Sequence, residues 1–188
     1  MKRKRTRFKK EVLELEVEQF KFLDESSVNT SLTRRSGRAA PDQRVVDHVP
    51  QPAGAQTTTL AVIGLTGITA PLVLSGTVNG TLFYGYMKHC VAPPLQPDDL
   101  GFRDNLSAHK VAGIDAVVCA RGARWIYLPP YSPDLHPIEL AWSKVKALLR
   151  QLKARTCDAL MDALKDAWLA ITSQDIRGWF AHCGYAIN

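Results

Sequence analysis

With 188 residues, 46% of them hydrophobic, the chain is long enough for one domain with a core of its own and too apolar to be disordered. No run approaches the roughly 18 consecutive apolar residues of a membrane helix. No apolar core follows the N-terminal charges as it would in a secretory signal, so a cytoplasmic location is expected. Lys and Arg number 24 against 18 Asp and Glu, a net charge of +6 that favours a polyanionic partner such as nucleic acid. Cys90, Cys119, Cys157 and Cys183 form no CxxC pair, so neither a zinc ribbon nor a thioredoxin-like site is suggested.

Lys2, Arg3, Lys4, Arg5, Arg7, Lys9 and Lys10 crowd the first ten residues. Such a run reads as a disordered arm of the kind that lies on phosphates, and residues 1–19 are assigned to this basic arm and a lead-in segment. Residues 11–18 alternate acidic and apolar residues and fit helix or strand equally. Phe20 to Leu23 reads as a strand ending at Asp24. The Ser-, Arg-, Pro- and Gly-rich stretch 26–56 is a long surface segment, with one short strand candidate at Arg44 to Val49. Two β-rich runs, 57–65 and 68–74, flank Thr66-Gly67 as in a hairpin. Asn79 can cap a helix bearing Leu82, Phe83, Tyr86, Met87 and Cys90 on one face, and Pro93-Pro94 ends it.

Leu100 to Arg103 is a strand candidate ending at Asp104. A helix is expected over about 111–120 with Gly122 as its C-cap, then a last strand from Arg124 to Leu128. Pro129 to His136 is a stiff loop, and Pro137 suits the first turn of a helix that aligns Ile138, Trp142, Val145, Leu149 and Leu152. A further helix carries Leu160, Leu164, Trp168 and Ile171. Ser173 is a candidate cap for the last one, with Ile176, Trp179 and Phe180. A hairpin followed by alternating helix and strand predicts an α/β fold with a mixed sheet flanked by helices, and ribonuclease-H-like folds have this order of elements.

Asp24 and Asp104 each close a short apolar strand, and Glu139 stands in the first turn of the helix after the last strand. Strand ends of an α/β sheet converge where ligands bind, so three carboxylates from three elements can meet. Such a cluster repels itself unless cations neutralise it, and hard oxygen ligands suit Mg²⁺ or Mn²⁺. Two such ions, roughly 3.5–4 Å apart, would serve phosphodiester cleavage. The same residues also fit local uses: Asp as a turn or capping residue, Glu against a helix dipole.

The segment Leu128-Pro-Pro-Tyr-Ser-Pro-Asp-Leu-His-Pro-Ile-Glu139, with Leu140-Ala-Trp142 after it, closely resembles the signature of the mariner superfamily of transposases, especially the bacterial insertion-sequence branch numbered six-thirty. Asp104-Asn-Leu-Ser-Ala-His-Lys110 is similar to that family's second motif, and 34 residues separate Asp104 from Glu139, as is characteristic there. Phe22-Leu-Asp-Glu-Ser26, with Asn29 to Arg34 and Gly37-Arg38, is similar to the first motif, and Phe180 to Tyr185 resembles the domain's end. The resemblance implies a DDE endonuclease catalytic domain over residues 20–188, with Asp24, Asp104 and Glu139 as catalytic acids holding two Mg²⁺ or Mn²⁺ ions. It implies DNA strand cleavage and strand transfer during insertion-sequence transposition, on element ends and target DNA, by a homodimer.

Arg34, Arg35, Arg38, His109, Lys110 and Lys144 are the candidate DNA contacts; each also fits a solvated or helix-start role. Trp142 shares the apolar stripe and is assigned to the core. Arg103 stands where the family has an apolar residue; buried there it needs a partner, Asp104 being one candidate. The family's N-terminal helix-turn-helix domain is not found in the roughly 20 residues before the first strand. A separate recognition polypeptide or upstream reading-frame product is therefore expected. The alternatives are a catalytically inactive remnant that binds DNA non-specifically and a stand-alone nuclease.

Overall fold

The computed structural model describes residues 2–12, 15–48, 50, 56–104 and 111–187. The described elements run α1 (Lys2–Val12), β1 (Phe20–Val28), β2 (Thr57–Gly64), β3 (Gly67–Ser75), α2 (Gly80–Tyr86), β4 (Leu100–Arg103), α3 (Ile114–Cys119), β5 (Arg124–Tyr127), α4 (Pro137–Leu152), α5 (Cys157–Leu169) and α6 (Ser173–His182). One five-stranded sheet has the order β3-β2-β1-β4-β5. β1, β2 and β3 pair antiparallel, whereas β4 is parallel to both β1 and β5. This is the expected mixed sheet with helices on it.

Strand alternation sorts the core into two layers. Phe20 and Phe22 of β1 and Leu100 and Phe102 of β4 face one side, where Ile138, Ala141 and Trp142 of α4 and Phe180 of α6 cover them. Leu23 of β1 with Leu60 and Val62 of β2 face the other side, under Phe83 and Tyr86 of α2 and Ile114 and Val118 of α3. Val145 and Leu149 of α4 join Leu160 and Leu164 of α5 in a third cluster that reaches Val28. Gly101 is required by close packing: a Cβ there would stand 2.1 Å from the Trp125 ring on β5.

Several boundaries differ from the sequence expectations. The basic run forms α1 rather than a loose arm, because Phe8 and Val12, four residues apart on one face, are buried in the core. Phe8 meets Phe102 edge-on at 5.7 Å between ring centres, and burying such a ring is worth about 1.5–3 kcal/mol. β1 does not stop at Asp24 but pairs with β2 as far as Val28, because Ser26 and Ser27 keep the ladder opposite Thr59 and Thr58. No strand forms over residues 44–48; Val49 lies outside the described residues. The helix begun by Asn79, whose side chain accepts from the Leu82 N–H, continues past Tyr86 as a π-turn, Met87–Val91. α3 starts at Ile114, later than expected. Leu152 is 52% exposed, so the apolar stripe of α4 ends at Leu149. Thr172, not Ser173, caps α6, through a capping box with Asp175.

Candidate active site

Asp24 lies mid-strand in β1, on the face that α4 covers, and is only 8% exposed. The parallel register pairs Phe20 with Leu100 and Phe22 with Phe102. Continued two residues along both strands, the same offset would set Asp24 beside Asp104, just past the end of β4, and the Asp104 charge does act on Asp24. Glu139, in the first turn of α4, is exposed, and its N–H is bonded to the His136 carbonyl.

Electrostatics tie the three together. Burial, and then the negative charges of Glu139 and Asp104, push the Asp24 carboxyl up to about 7. Two donors oppose this: the backbone N–H of Glu25 and the indole N–H of Trp142, which gives Asp24 Oδ2 a 3.0 Å hydrogen bond. Trp142 is thus more than core. It packs edge-on against Trp168 at 5.0 Å and also orients Asp24. A signal for this role was present in the sequence: Trp142 follows Glu139 by three residues and so shares its side of the helix.

Among the described residues, Asp104, His136, Glu139 and the loop 128–133 border a cavity of about 430 Å³. Two remote side chains fasten this loop and its continuation. From α1, Arg5 donates to the Tyr131 carbonyl at 3.2 Å and the Ser132 hydroxyl at 3.0 Å, and it pairs with Asp134. From the C-terminus, the buried Tyr185 hydroxyl donates to the Leu135 carbonyl at 2.6 Å. Neither tether was foreseen, since each links residues more than forty positions apart.

Among the described residues no three His, Cys, Asp or Glu side chains stand close enough to form a ready-made metal cage. The donor chemistry nonetheless fits a hard divalent cation: a buried carboxyl whose ionisation is opposed by two carboxylate neighbours is relieved by positive charge.

The other sequence candidates are dispersed. Arg34, Arg35 and Arg38 are exposed on the segment after β1. That segment is held at its start by Arg155, which donates to the carbonyls of Thr30 and Leu32. Lys144 bridges α4 to α6 with a 2.6 Å bond to Asp175. The ammonium and the Thr172 cap hold the Asp175 carboxyl down at about 2. His109 and Lys110 lie outside the described residues. Arg103, 2% exposed, points to the α3 side of the sheet. It donates to Asp115 at 3.1 Å and stacks on the Tyr127 ring at 4.6 Å, so its charge is compensated there.

Asp24 of central strand β1, Asp104 just past its parallel neighbour β4 and Glu139 in the first turn of α4 thus share one electrostatic neighbourhood, and the chain belongs to the DDE superfamily endonucleases, whose family model matches residues 19–161. No curated protein matches the sequence. Among solved structures, the Mos1 transposase paired-end complex with left transposon end matches with a TM-score of 0.73 at 15% identity, over 95% of this chain and 55% of that one. The Mos1 mariner paired end complex with Mn matches at 0.71 and 18% identity, over 95% and 56%. The catalytic domain of Mos1 mariner transposase matches at 0.60 and 13%, over 97% and 89%. The fold is therefore the ribonuclease-H-like one of that catalytic domain, and the chain spans little more than half the length of the Mos1 chains in the complexes.

Proposed function

We propose that the chain is the catalytic domain of a transposase of the insertion-sequence family numbered six-thirty, cutting DNA and joining it to a target. The observation that carries this reading is the convergence of charge on Asp24 from Asp104 and Glu139, in a chain of the DDE endonuclease family. Asp24, Asp104 and Glu139 are the residues that would hold Mg²⁺ or Mn²⁺, the ions named in Mos1 complexes of the same fold. When bound, these ions would supply activation of the attacking oxygen and charge neutralisation at the phosphate.

In this reading water attacks a phosphorus at the element's end, and the bond to the 3′-oxygen breaks to leave a 3′-hydroxyl. That hydroxyl then attacks a phosphodiester of target DNA, expelling another 3′-oxygen. Asp24 is oriented by Trp142, and the loop before Glu139 is stiffened by Pro129, Pro130 and Pro133 and tethered by Arg5. Arg34, Arg35, Arg38, His109 and Lys110 are assigned to phosphate contacts, whereas Lys144 is engaged by Asp175 and is assigned to holding α6. Element ends would be recognised by a separate polypeptide or by an upstream product, with two catalytic chains acting together. An inactive remnant is the alternative, motivated by Arg103 and by the recognition domain not found in the sequence; the Arg103 bond to Asp115 gives that guanidinium a partner other than Asp104.

A Mn²⁺-dependent nicking assay on supercoiled plasmid, comparing the wild-type chain with Asp104→Asn, tests the reading. Nicking that requires the metal and vanishes in the variant is expected. A folded wild-type chain that never nicks, even with a recognition partner supplied, would refute it.

A further inference from the structure

At the rim of the cavity bordered by Asp104 and Glu139, Tyr131 is 85% exposed and adopts a left-handed backbone conformation, φ +54°. For a bulky residue that conformation carries strain, which glycine would avoid. The exposed ring returns no burial to the fold in compensation. Its backbone is nevertheless fixed: the Tyr131 carbonyl accepts from Arg5, Ser132 beside it is buried and bonded to the same guanidinium, and prolines stand at 129, 130 and 133. A rigid loop therefore presents an aromatic face to solvent beside the carboxylates, at the expense of local strain. Strain of this kind at a site edge points to a contact made outside the chain.

We propose that Tyr131 is a stacking platform for a nucleobase of DNA lying in the active-site cavity, set next to the phosphate to be cut. This rests on the reading of the chain as a DNA-cutting enzyme. An aromatic ring accepts any base through its π-face, so the contact would hold the strand in place without reading sequence. A loop already ordered loses little entropy on engaging it. The phenol hydroxyl is not needed for stacking; the flat ring is.

The test measures anisotropy of a fluorescein-labelled single-stranded oligonucleotide with the full chain and four variants, Tyr131→Phe, Tyr131→Trp, Tyr131→Ala and Tyr131→Gly. Phe and Trp are expected to bind as the wild type does. Ala and Gly are expected to bind ~5-fold to ~150-fold more weakly, the range for one lost base stack. Tyr131→Gly is also expected to melt no lower than the wild type, which separates lost contact from lost fold. Equal binding by Ala, Gly and wild type would overturn the proposal, as would a Phe variant as weak as Ala. Wild-type nicking that vanishes in Asp104→Asn, together with unchanged Ala and Gly binding, would sink the stacking contact alone. A wild type that neither binds nor nicks would sink the functional reading and the contact with it.

Discussion

Replacing Asp24 with Asn is expected to stabilise the metal-free protein above neutral pH. The Asp24 carboxyl sits at about 7 in the fold against an ordinary 3.8. Between those values the folded chain keeps a proton that the unfolded chain has released. Stability therefore falls as pH rises through that window, and the full penalty is present above about 7. At 1.36 kcal/mol per pH unit the penalty is on the order of 4 kcal/mol. Asn keeps an oxygen for the Trp142 N–H and carries no charge, so the variant escapes the penalty. Urea unfolding in EDTA at about pH 5 and about pH 8 measures it: wild type should lose stability between them, and Asp24→Asn should stay nearly flat. Adding Mn²⁺ at the higher pH should restore wild type and leave the variant unmoved. Wild-type stability that does not change with pH, or a variant that responds to Mn²⁺ as wild type does, would refute the reasoning.

Three further outcomes are expected. Trp142→Phe removes the donor to Asp24, and a charge-assisted bond of ~1.5–3 kcal/mol corresponds to a rise of ~1–2 pH units in the acidic limb of Mn²⁺-dependent nicking, read from a pH–rate profile. Arg5→Ala releases the loop before Glu139; faster amide exchange over residues 131–136 and a nicking rate lowered by roughly tenfold or more are expected, with little change in melting temperature. Gly101→Ala drives a methyl into the Trp125 ring, and denaturant unfolding should show a loss of about 1–3 kcal/mol.

What the sequence made legible was local. The hairpin at 57–75, the Asn79 cap and the Pro137 entry into α4 follow from nearest-neighbour chemistry and stand where expected. The three acids were singled out by strand-end position and motif, but their shared electrostatics depend on the β1–β4 register, which no local pattern encodes. The polar tail of β1 was hidden because Glu25, Ser26 and Ser27 lack the apolar alternation of a strand; β2 supplies their partners from thirty residues away. In α1, seven cations masked Phe8 and Val12, whose burial is decided by Phe102 and the core around it. Arg103 looked like a liability because its partners, Asp115 and Tyr127, come from two other elements.

Asp24 and the residue directly opposite it on β2, Ala61, share one face of the sheet, and Ala61 is wholly buried among the residues that pack α4. It shares that buried cluster with Ile138, Ala141 and Trp142 of α4, the helix that also carries Glu139. The room between the strand bearing Asp24 and the helix bearing Glu139 is thus shared with a methyl group that belongs to neither. A bulkier residue at that position would widen the gap between strand and helix and loosen the grip on any ion between them, while leaving all three carboxylates in the sequence. Loss of activity in a relative with an intact set of acids is thus a matter to look for in the spacer strand as much as in the acids themselves.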